Sequence, residues 1–503
     1  MTAEELRDRI LAFIEACRLH RPVIKEASET MPLQPERFSV EVRQGKVLLE
    51  AWDDARSLVR RVVEIRKETE HELVLGYRRF GAGQGAVRIV ASAKLAPELR
   101  REAARSRFAD RLRKMLAQQF PGWKVEQLSA ERDLEHSFSA DAVRAVLRQG
   151  QTAWAVAACA EQAGEEAADG ALTQGLAWLD HLRRSPSQVR SRRLLTGLKL
   201  FLPEHYVAGT ALRWRFLNRE PAQYELFAFS PDDEARRAEE IDYANLATQL
   251  PLPGSGFQVP GPRSGWNLEP GTWDLVSRLG RLPDVALVQT ASGPACRIRG
   301  LQFARLTPDG AVFGFGDKWR PLTADTLNEA EALAGKIAQV RSADSSKRHE
   351  PFYTAQPERW LESLLAADIS ALSAEVDSAH VYSQVPAMIG GHRGIIDLLA
   401  ATRAGRLVVI ELKASSDPNL PMQALDYWMR VKWHFERGDF QRCGYFPGVE
   451  LRPEAPLLWL VAPAFAFHPH NEVVLRYLCP EVPIRRIGLN ESWRAGVQVV
   501  YRA

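Results

Sequence analysis

The sequence predicts a multi-domain α/β chain: a small β-rich N-terminal module, a central mixed α/β region and a C-terminal α/β domain. Three observations carry this expectation. The 503 residues exceed what one hydrophobic core serves, so two to four domains are expected. Short alternating apolar runs separated by glycine-containing turns fill residues 38 to 93, the pattern of an antiparallel sheet. The last third sets helical periodicity beside short, wholly apolar runs, the mark of strands packed under helices. The expected divisions are 1–98 (helix plus small antiparallel sheet), 99–185 (an α/β unit), 186–345 (mixed β-rich and helical) and 346–503 (the C-terminal domain).

The opening MTAEELRDRILAFIEACRLH reads as an amphipathic helix burying Leu6, Ile10, Phe13, Ile14 and Cys17. The runs FSVEV, KVLLEAW, VRRVVEI, ELVLGYRRF and AVRIVAS follow as strands. Residues 97–120 return to helical spacing through Leu99, Ala103, Phe108, Leu112 and Met115 or Leu116. Arg100, Arg101, Arg105, Arg107, Arg111 and Arg113 fill the opposite face, which reads as a solvated basic surface, with phosphate tracking as the alternative. Beyond Trp123 the expected order is a strand (KVEQLS), a helix (DAVRAVLRQG), a strand (AWAVAAC) and a helix (ALTQGLAWLDHLRR). LKLFL, ALRWRFLN and YELFAFS then read as strands. The Pro- and Gly-rich run 251–271 marks a boundary, a helix is expected from Asp325, and the polar run RSADSSKRHE precedes the final domain.

Composition narrows the classes. Hydrophobic residues make up 46% and charged residues 26%, ordinary for globular proteins. A formal charge of +3 is nearly neutral, so attraction to nucleic acid must come from local patches. Cys17, Cys159, Cys296, Cys443 and Cys479 are scattered without CxxC spacing, which argues against disulfide frameworks and zinc sites. The acidic start is unlike a signal peptide, and the longest apolar stretch, Leu457 to Phe467, is broken by Pro463 and is about half of the roughly 20 residues a span needs. A cytoplasmic protein without a membrane partner is expected. No GxxxxGK[ST] occurs, so ATP-driven translocation in cis is not supported.

The chemistry concentrates near the C-terminus. GIIDLLAAT and RLVVIELKA, joined through RAGR, predict a tight hairpin with Asp397 on one strand and Glu411 and Lys413 on the other. Residues two apart on a strand share a face, so Glu411 and Lys413 project together and Leu412 turns to the core. Two carboxylates buried side by side require a proton or a cation between them. A hard divalent ion such as Mg²⁺, with Mn²⁺ as a substitute, suits oxygen ligands, and a lysine at its edge can orient a water or stabilise developing charge at phosphorus. This is the logic of a phosphodiester-hydrolysing site. Upstream, PERWLESLLAADISAL predicts a helix with Trp360, Leu361, Leu364 and Leu365 inward and Glu358 and Glu362 on one side.

Asp397, Glu411-Leu412-Lys413 and a preceding Glu-bearing helix resemble the PD-(D/E)xK, or restriction-endonuclease-like, nuclease superfamily. Gln423-Ala-Leu-Asp-Tyr427 is similar to the QxxxY motif of its RecB-like branch. The likeness covers about residues 351–467; Ile396 stands where the motif's proline would be. It implies a restriction-endonuclease-like α/β/α sandwich with a mixed central sheet at 346–503. It also implies Asp397, Glu411 and the Leu412 carbonyl as metal ligands, Lys413 as base or charge stabiliser, and Gln423 and Tyr427 as positioning DNA or the lysine. Glu362 is favoured over Glu358 as the helix carboxylate because it is nearer the sheet in sequence and follows the packed Trp360-Leu361 pair. Arg393, before the hairpin, is a candidate phosphate contact, and His380, His392, His434, His468 and His470 read as surface or supporting residues.

Residues 105–184 echo the same order of parts, with Gln174…Trp178 in the place of QxxxY and no Glu-x-Lys in AWAVAACA. Two readings stand for it: an unrelated α/β unit, or a second, catalytically dead nuclease-like domain used for binding or dimer contacts. The expected function is an Mg²⁺-dependent deoxyribonuclease, endonuclease over exonuclease, with nucleic acid, DNA favoured, as partner and a homodimer as an option. A non-catalytic nucleic-acid-binding or scaffold protein is the rival reading, and a defence nuclease acting on RNA a third.

Overall fold

Four β-sheets organise the computed structural model, which describes residues 2–17, 22–26, 29–33, 37–52, 57–69, 72–78, 84–90, 97–185, 194–231, 234–238, 266, 268–290, 292–389 and 392–503. Within these ranges, the side chains at 29–30, 32, 84, 97–103, 388–389 and 392–393 are left undescribed. The chain divides into two units, Met1–Leu112 and Arg113–Ala503, with the helix Pro97–Gln119 running across the division.

The first unit opens with the helix Ala3–Ala16. Thr2 and Glu5 form a reciprocal cap at its start, an arrangement worth about 1 kcal/mol. The helix buries Leu6, Ile10, Phe13 and Ile14, with Cys17 behind them, as the periodicity predicts. These side chains share a core with Leu49, Leu73, Leu75, Val87 and Ile89 of a seven-stranded antiparallel sheet. The expected module is present and gains two strands, Val23–Glu26 and Glu29–Pro32, along one edge.

The second unit holds three sheets. Its first runs, in spatial order, Lys124–Ser129, Ala142–Gln149, Thr152–Cys159, Leu194–Pro203, Gln223–Phe229 and Ala235–Arg237. Three sequence expectations change here. DAVRAVLRQ forms a strand because it lies between two neighbours, with six successive side chains buried. ALRWRFLN, read as a strand from its alternation, contributes to the helix Val207–Trp214. The strand Leu194–Pro203 pairs in parallel with Thr152–Cys159, and Gln223–Phe229 pairs in parallel with Leu194–Pro203, so the sheet continues across the boundary expected at 185.

A five-stranded antiparallel meander, Val285 to Pro321, follows. It is backed by the helices Thr272–Leu279 and Leu327–Val340 around Phe303, Phe313 and Ile337. Residues 251–265 and 267, most of the Pro- and Gly-rich run, lie outside the described residues. Arg341 closes the second helix and is fully buried. Its guanidinium donates to the carbonyls of Arg299, Phe352, Ala355 and Gln356 at 2.7–3.0 Å and stacks over Trp360 at 4.7 Å. Four carbonyl acceptors on one cation fix the entry to the helix Pro357–Ala367.

The last sheet, in order, is Val376–Ile389, His392–Thr402, Leu407–Leu412, Leu457–Pro463, Ile484–Leu489 and Val499–Arg502. Neighbours pair antiparallel, antiparallel, parallel, parallel and antiparallel. Alternate residues separate two cores. Leu398, Ile410, Leu412 and Trp459 pack with Trp360, Leu361 and Leu365 of the first helix. Leu399, Val409, Leu458 and Leu460 pack with Leu425 and Trp428 of the helix Leu420–Glu436. Helices thus cover both faces of a mixed sheet. Among the described residues, no helix is long and apolar enough to cross a membrane.

Candidate active site

The expected hairpin forms through Thr402 and Arg406, with Gly405 at φ +84 in the turn. A Cβ there would stand 2.1 Å from the Glu450 carbonyl oxygen, so glycine meets both the left-handed backbone and the close approach. The two strands are apolar at nearly every position, which makes the three charged side chains exceptional. Leu398 pairs with Ile410, and one further step of that register sets Asp397 opposite Glu411. Leu412 is buried beside Trp360 and Trp459, as alternation requires, and Glu411 and Lys413 take the other parity.

Asp397 is 9% exposed and Glu411 2%. The Leu412 amide donates to Asp397 Oδ2 at 2.9 Å, which ties one strand's carboxylate to the backbone of the other. Burial lifts the Asp397 carboxyl above its usual range, opposed by that amide and by Arg359 and Lys413. Glu411 is lifted well above the usual carboxylate range, first by burial and then by Asp397 beside it. Its Oε2 is buried with no hydrogen-bond partner. Such an oxygen carries a substantial desolvation cost unless a proton or cation meets it.

Lys413 reaches three acceptors: Gln423 Oε1 at 2.8 Å, Asp417 Oδ2 at 3.3 Å and Glu411 Oε1 at 3.9 Å. Gln423 passes the chain on, its Nε2 donating to the Tyr427 hydroxyl at 3.1 Å. The i, i+4 spacing on the helix Leu420–Glu436 brings the two residues of the QxxxY pattern together above the lysine. Burial, with Glu411 adding to it, pushes the Tyr427 hydroxyl up to about 12, so it stays protonated. Asn471 is fully buried and donates to the carbonyls of Asp417 and Pro418, holding the loop that follows Lys413.

Both helix carboxylates reach this end of the sheet. Glu362 is 5% exposed and accepts from Arg359 Nη1 at 2.7 Å and Gln384 Nε2 at 2.6 Å. Burial pushes its carboxyl up to about 7, with Arg359 working against the shift and Asp397 with it. Glu358 accepts from the Ala414 amide at 3.2 Å, one residue beyond Lys413. Arg393 lies on the His392–Thr402 strand, and its side chain falls outside the described residues. Of the histidines, His380 pairs with Asp377, His434 with Asp439, His468 caps the helix Pro469–Arg476 and His470 meets the His136 carbonyl.

Sequence reasoning missed Arg359 and Gln384. Arg359 stands between Glu362 and Asp397, 3.8 Å from the latter. Gln384 adopts φ +58 inside the Val376–Ile389 strand, between Ser383 and Val385, which pair with Leu398 and Ile396 on either side of Asp397. A left-handed glutamine inside a strand is the kind of local backbone strain that gathers at working sites. Arg359 had a signal, lying three residues before Glu362 on one helix face; Gln384 had none.

The donor chemistry fits a hard divalent cation. Among the described residues, no group of three or more His, Cys, Asp or Glu is gathered to hold a metal, and the carboxylates set opposite one another on the hairpin are Asp397 and Glu411. Mg²⁺ is commonly held by one or two carboxylates with water completing its shell. The unpartnered Oε2 of Glu411 is the atom such an ion would satisfy. Compared with known proteins, the chain matches no family model, and no curated protein matches it in sequence.

Proposed function

We propose that this protein is a divalent-metal-dependent nuclease of the PD-(D/E)xK type that hydrolyses phosphodiester bonds, with DNA as substrate and an endonucleolytic cut. The reading rests on one observation above the others. Two buried carboxylates lie side by side on a hairpin with a lysine on the same face, and one of their oxygens lacks a partner. The resemblance of Asp397, Glu411-Leu412-Lys413 and Gln423…Tyr427 to the superfamily's motifs agrees with it, as does the sheet covered on both faces by helices.

In this reading Asp397, Glu411 and the Leu412 carbonyl hold Mg²⁺ or Mn²⁺, which when bound supplies Lewis-acid stabilisation of charge on a phosphoryl oxygen. The chain's own groups do the rest. Lys413 is steered by Gln423 and Asp417, so its ammonium is fixed where an attacking water is oriented or developing charge is met. Tyr427, protonated, holds Gln423 in that orientation. Arg359 neutralises Glu362 and Asp397 in part and offers a guanidinium for a substrate phosphate. Glu362, held protonated to about neutral pH, is placed to take or give a proton at the edge of the site.

Incubation of the full chain with labelled single- and double-stranded DNA and RNA, in Mg²⁺, Mn²⁺ or EDTA, tests the proposal. Metal-dependent cleavage lost in Lys413→Ala supports it. Absence of cleavage on every substrate, in a folded protein, overturns it in favour of a non-catalytic nucleic-acid-binding or scaffold protein.

A further inference from the structure

The chain contains one sheet topology twice. The sheet over 124–237 and the sheet over 376–502 have the same spatial order and the same sequence of pairings: antiparallel, antiparallel, parallel, parallel, antiparallel. The helices recur in step. One precedes the first strand (Pro97–Gln119; Pro357–Ala367) and one joins the third to the fourth (Glu165–Arg184; Leu420–Glu436). In both copies the fourth strand ends in proline, Pro203 or Pro463, and runs into a 3₁₀ turn and an eight-residue helix. Six strands and three helices in one order, with one set of senses, point to duplication of a single unit.

The two copies meet through equivalent segments. Leu217 bridges Leu478, each lying just past its copy's eight-residue helix. The bonds are reciprocal: the Asn218 amide donates to the Tyr477 carbonyl at 2.8 Å, and the Cys479 amide to the Phe216 carbonyl at 2.7 Å. A contact in which the same segment faces itself is the signature of a two-fold dimer interface, here within one chain. Arg213 of the upstream copy adds a bidentate pair to Asp426 of the downstream one.

The register compares the two sites residue by residue. Leu412 pairs with Val461, two residues before Pro463, and Ala158 pairs with Phe201, two residues before Pro203. Ala157, Ala158 and Cys159 therefore occupy the places of Glu411, Leu412 and Lys413. On the adjoining strand Ala157 faces Arg144, which takes the place of Asp397. Arg144 is buried, its Nη atoms donate to the carbonyls of Ser139 and Glu131 at 2.9 and 2.8 Å, and its guanidinium lies over Phe138 at 4.6 Å. Gln174, four residues before Trp178 as Gln423 is before Tyr427, accepts from the Ser139 amide. Where the downstream copy has two acids, the upstream copy has an alanine and a fixed cation, and a dication is repelled from such a place.

We infer that the chain is a fused two-fold pair with a single metal centre, which breaks one strand of a DNA duplex per encounter. The inference rests on the nuclease reading of the Asp397 site. A pair with two working centres cuts two phosphodiesters in one encounter, whereas this pair has one and leaves a nick.

Two measurements on the full chain test it. In Mn²⁺ titration by electron paramagnetic resonance, all tight binding is expected to disappear in Glu411→Gln, its fold checked by thermal melting. Tight Mn²⁺ retained in that variant overturns the single-centre claim, and Asp397→Asn gives an independent check on the same point. With supercoiled plasmid under single-turnover conditions, open circles are expected to accumulate several-fold over linear product. Linear product forming at the rate of open circles overturns the single-strand claim, as does an uncut plasmid. If RNA and single-stranded DNA also stay whole, the nuclease reading fails too, while the Mn²⁺ result still decides whether the upstream copy holds a metal.

Discussion

Lys413 Nζ lies 2.8 Å from Gln423 Oε1, a hydrogen bond between the last residue of the Glu-x-Lys pattern and the first of QxxxY. The lysine leaves the end of a strand and the glutamine sits in the first turn of the next helix, so their meeting turns two separate sequence patterns into one site. Gln423→Ala removes the group that aims the ammonium while leaving its charge. Misplacement of a reacting group by about 1 Å costs roughly 100-fold in rate. Cleavage by Gln423→Ala is therefore expected to fall by about that factor, with substrate binding little changed and Gln423→Glu recovering part of the loss. Equal activity in Gln423→Ala and the parent would remove this residue from the mechanism.

Glu411 is lifted well above the usual carboxylate range, first by burial and then by Asp397. Its ionised form is disfavoured in the fold, so metal-free protein bears a stability penalty at pH 8 that shrinks at pH 5. A buried charge without a partner is costly in the fold, and an isosteric neutral amide in its place relieves that cost. Glu411→Gln is expected to raise the urea midpoint of metal-free protein at pH 8, to raise it less at pH 5, and to abolish cleavage. A lower midpoint at pH 8 would show that the carboxylate is already satisfied without a metal.

Glu362 sets a pH window. Its carboxyl moves from an ordinary 4.5 to about 7 on folding, so between those values the native state binds more protons than the unfolded one. Stability from this group is full below about 4.5, declines as pH rises to 7 and is level beyond, a span of roughly 3 kcal/mol. The difference in unfolding free energy between the parent and Glu362→Gln, in EDTA, is expected to fall across that window. Parallel curves from pH 4.5 to 7.5 would contradict it.

The helix bearing Gln423 and Tyr427 is anchored one residue away, where Asp426 accepts both arms of Arg213, with Asp169 on the far side. Arg213→Ala leaves Asp426 buried without its bidentate partner, a change that costs about 3–5 kcal/mol. Chemical denaturation is expected to show that loss together with reduced cleavage, and a double Arg213→Met, Asp426→Leu variant to regain most of the stability. A single variant as stable as the parent would mean that the pair does not hold the helix.

The hairpin was legible because Asp397, Glu411 and Lys413 interrupt runs that are otherwise apolar, and a period of two fixes which of them share a face. The Gln423…Tyr427 contact was legible because four residues make one helical turn. Arg144 shows where legibility stops. DAVRAVLRQ is rich in helix-favouring residues, yet it is a strand because neighbours on both sides bury it, and tertiary context overrides propensity. Reading it as a helix concealed the second sheet, and with it the position of Arg144 against Asp397. Gln384 was hidden for another reason, since its left-handed backbone within a strand leaves no mark in composition or spacing.

Whether Asp397, Glu411 and Lys413 form the proposed metal-dependent phosphodiesterase is decided by incubating the parent protein and Glu411→Gln, both shown to be folded, with labelled DNA in Mg²⁺, in Mn²⁺ and in EDTA. The parent is expected to cleave in either metal, not in EDTA, and the variant not at all. Cleavage that persists in EDTA or in Glu411→Gln, or a parent inert in both metals, rules the proposed site out.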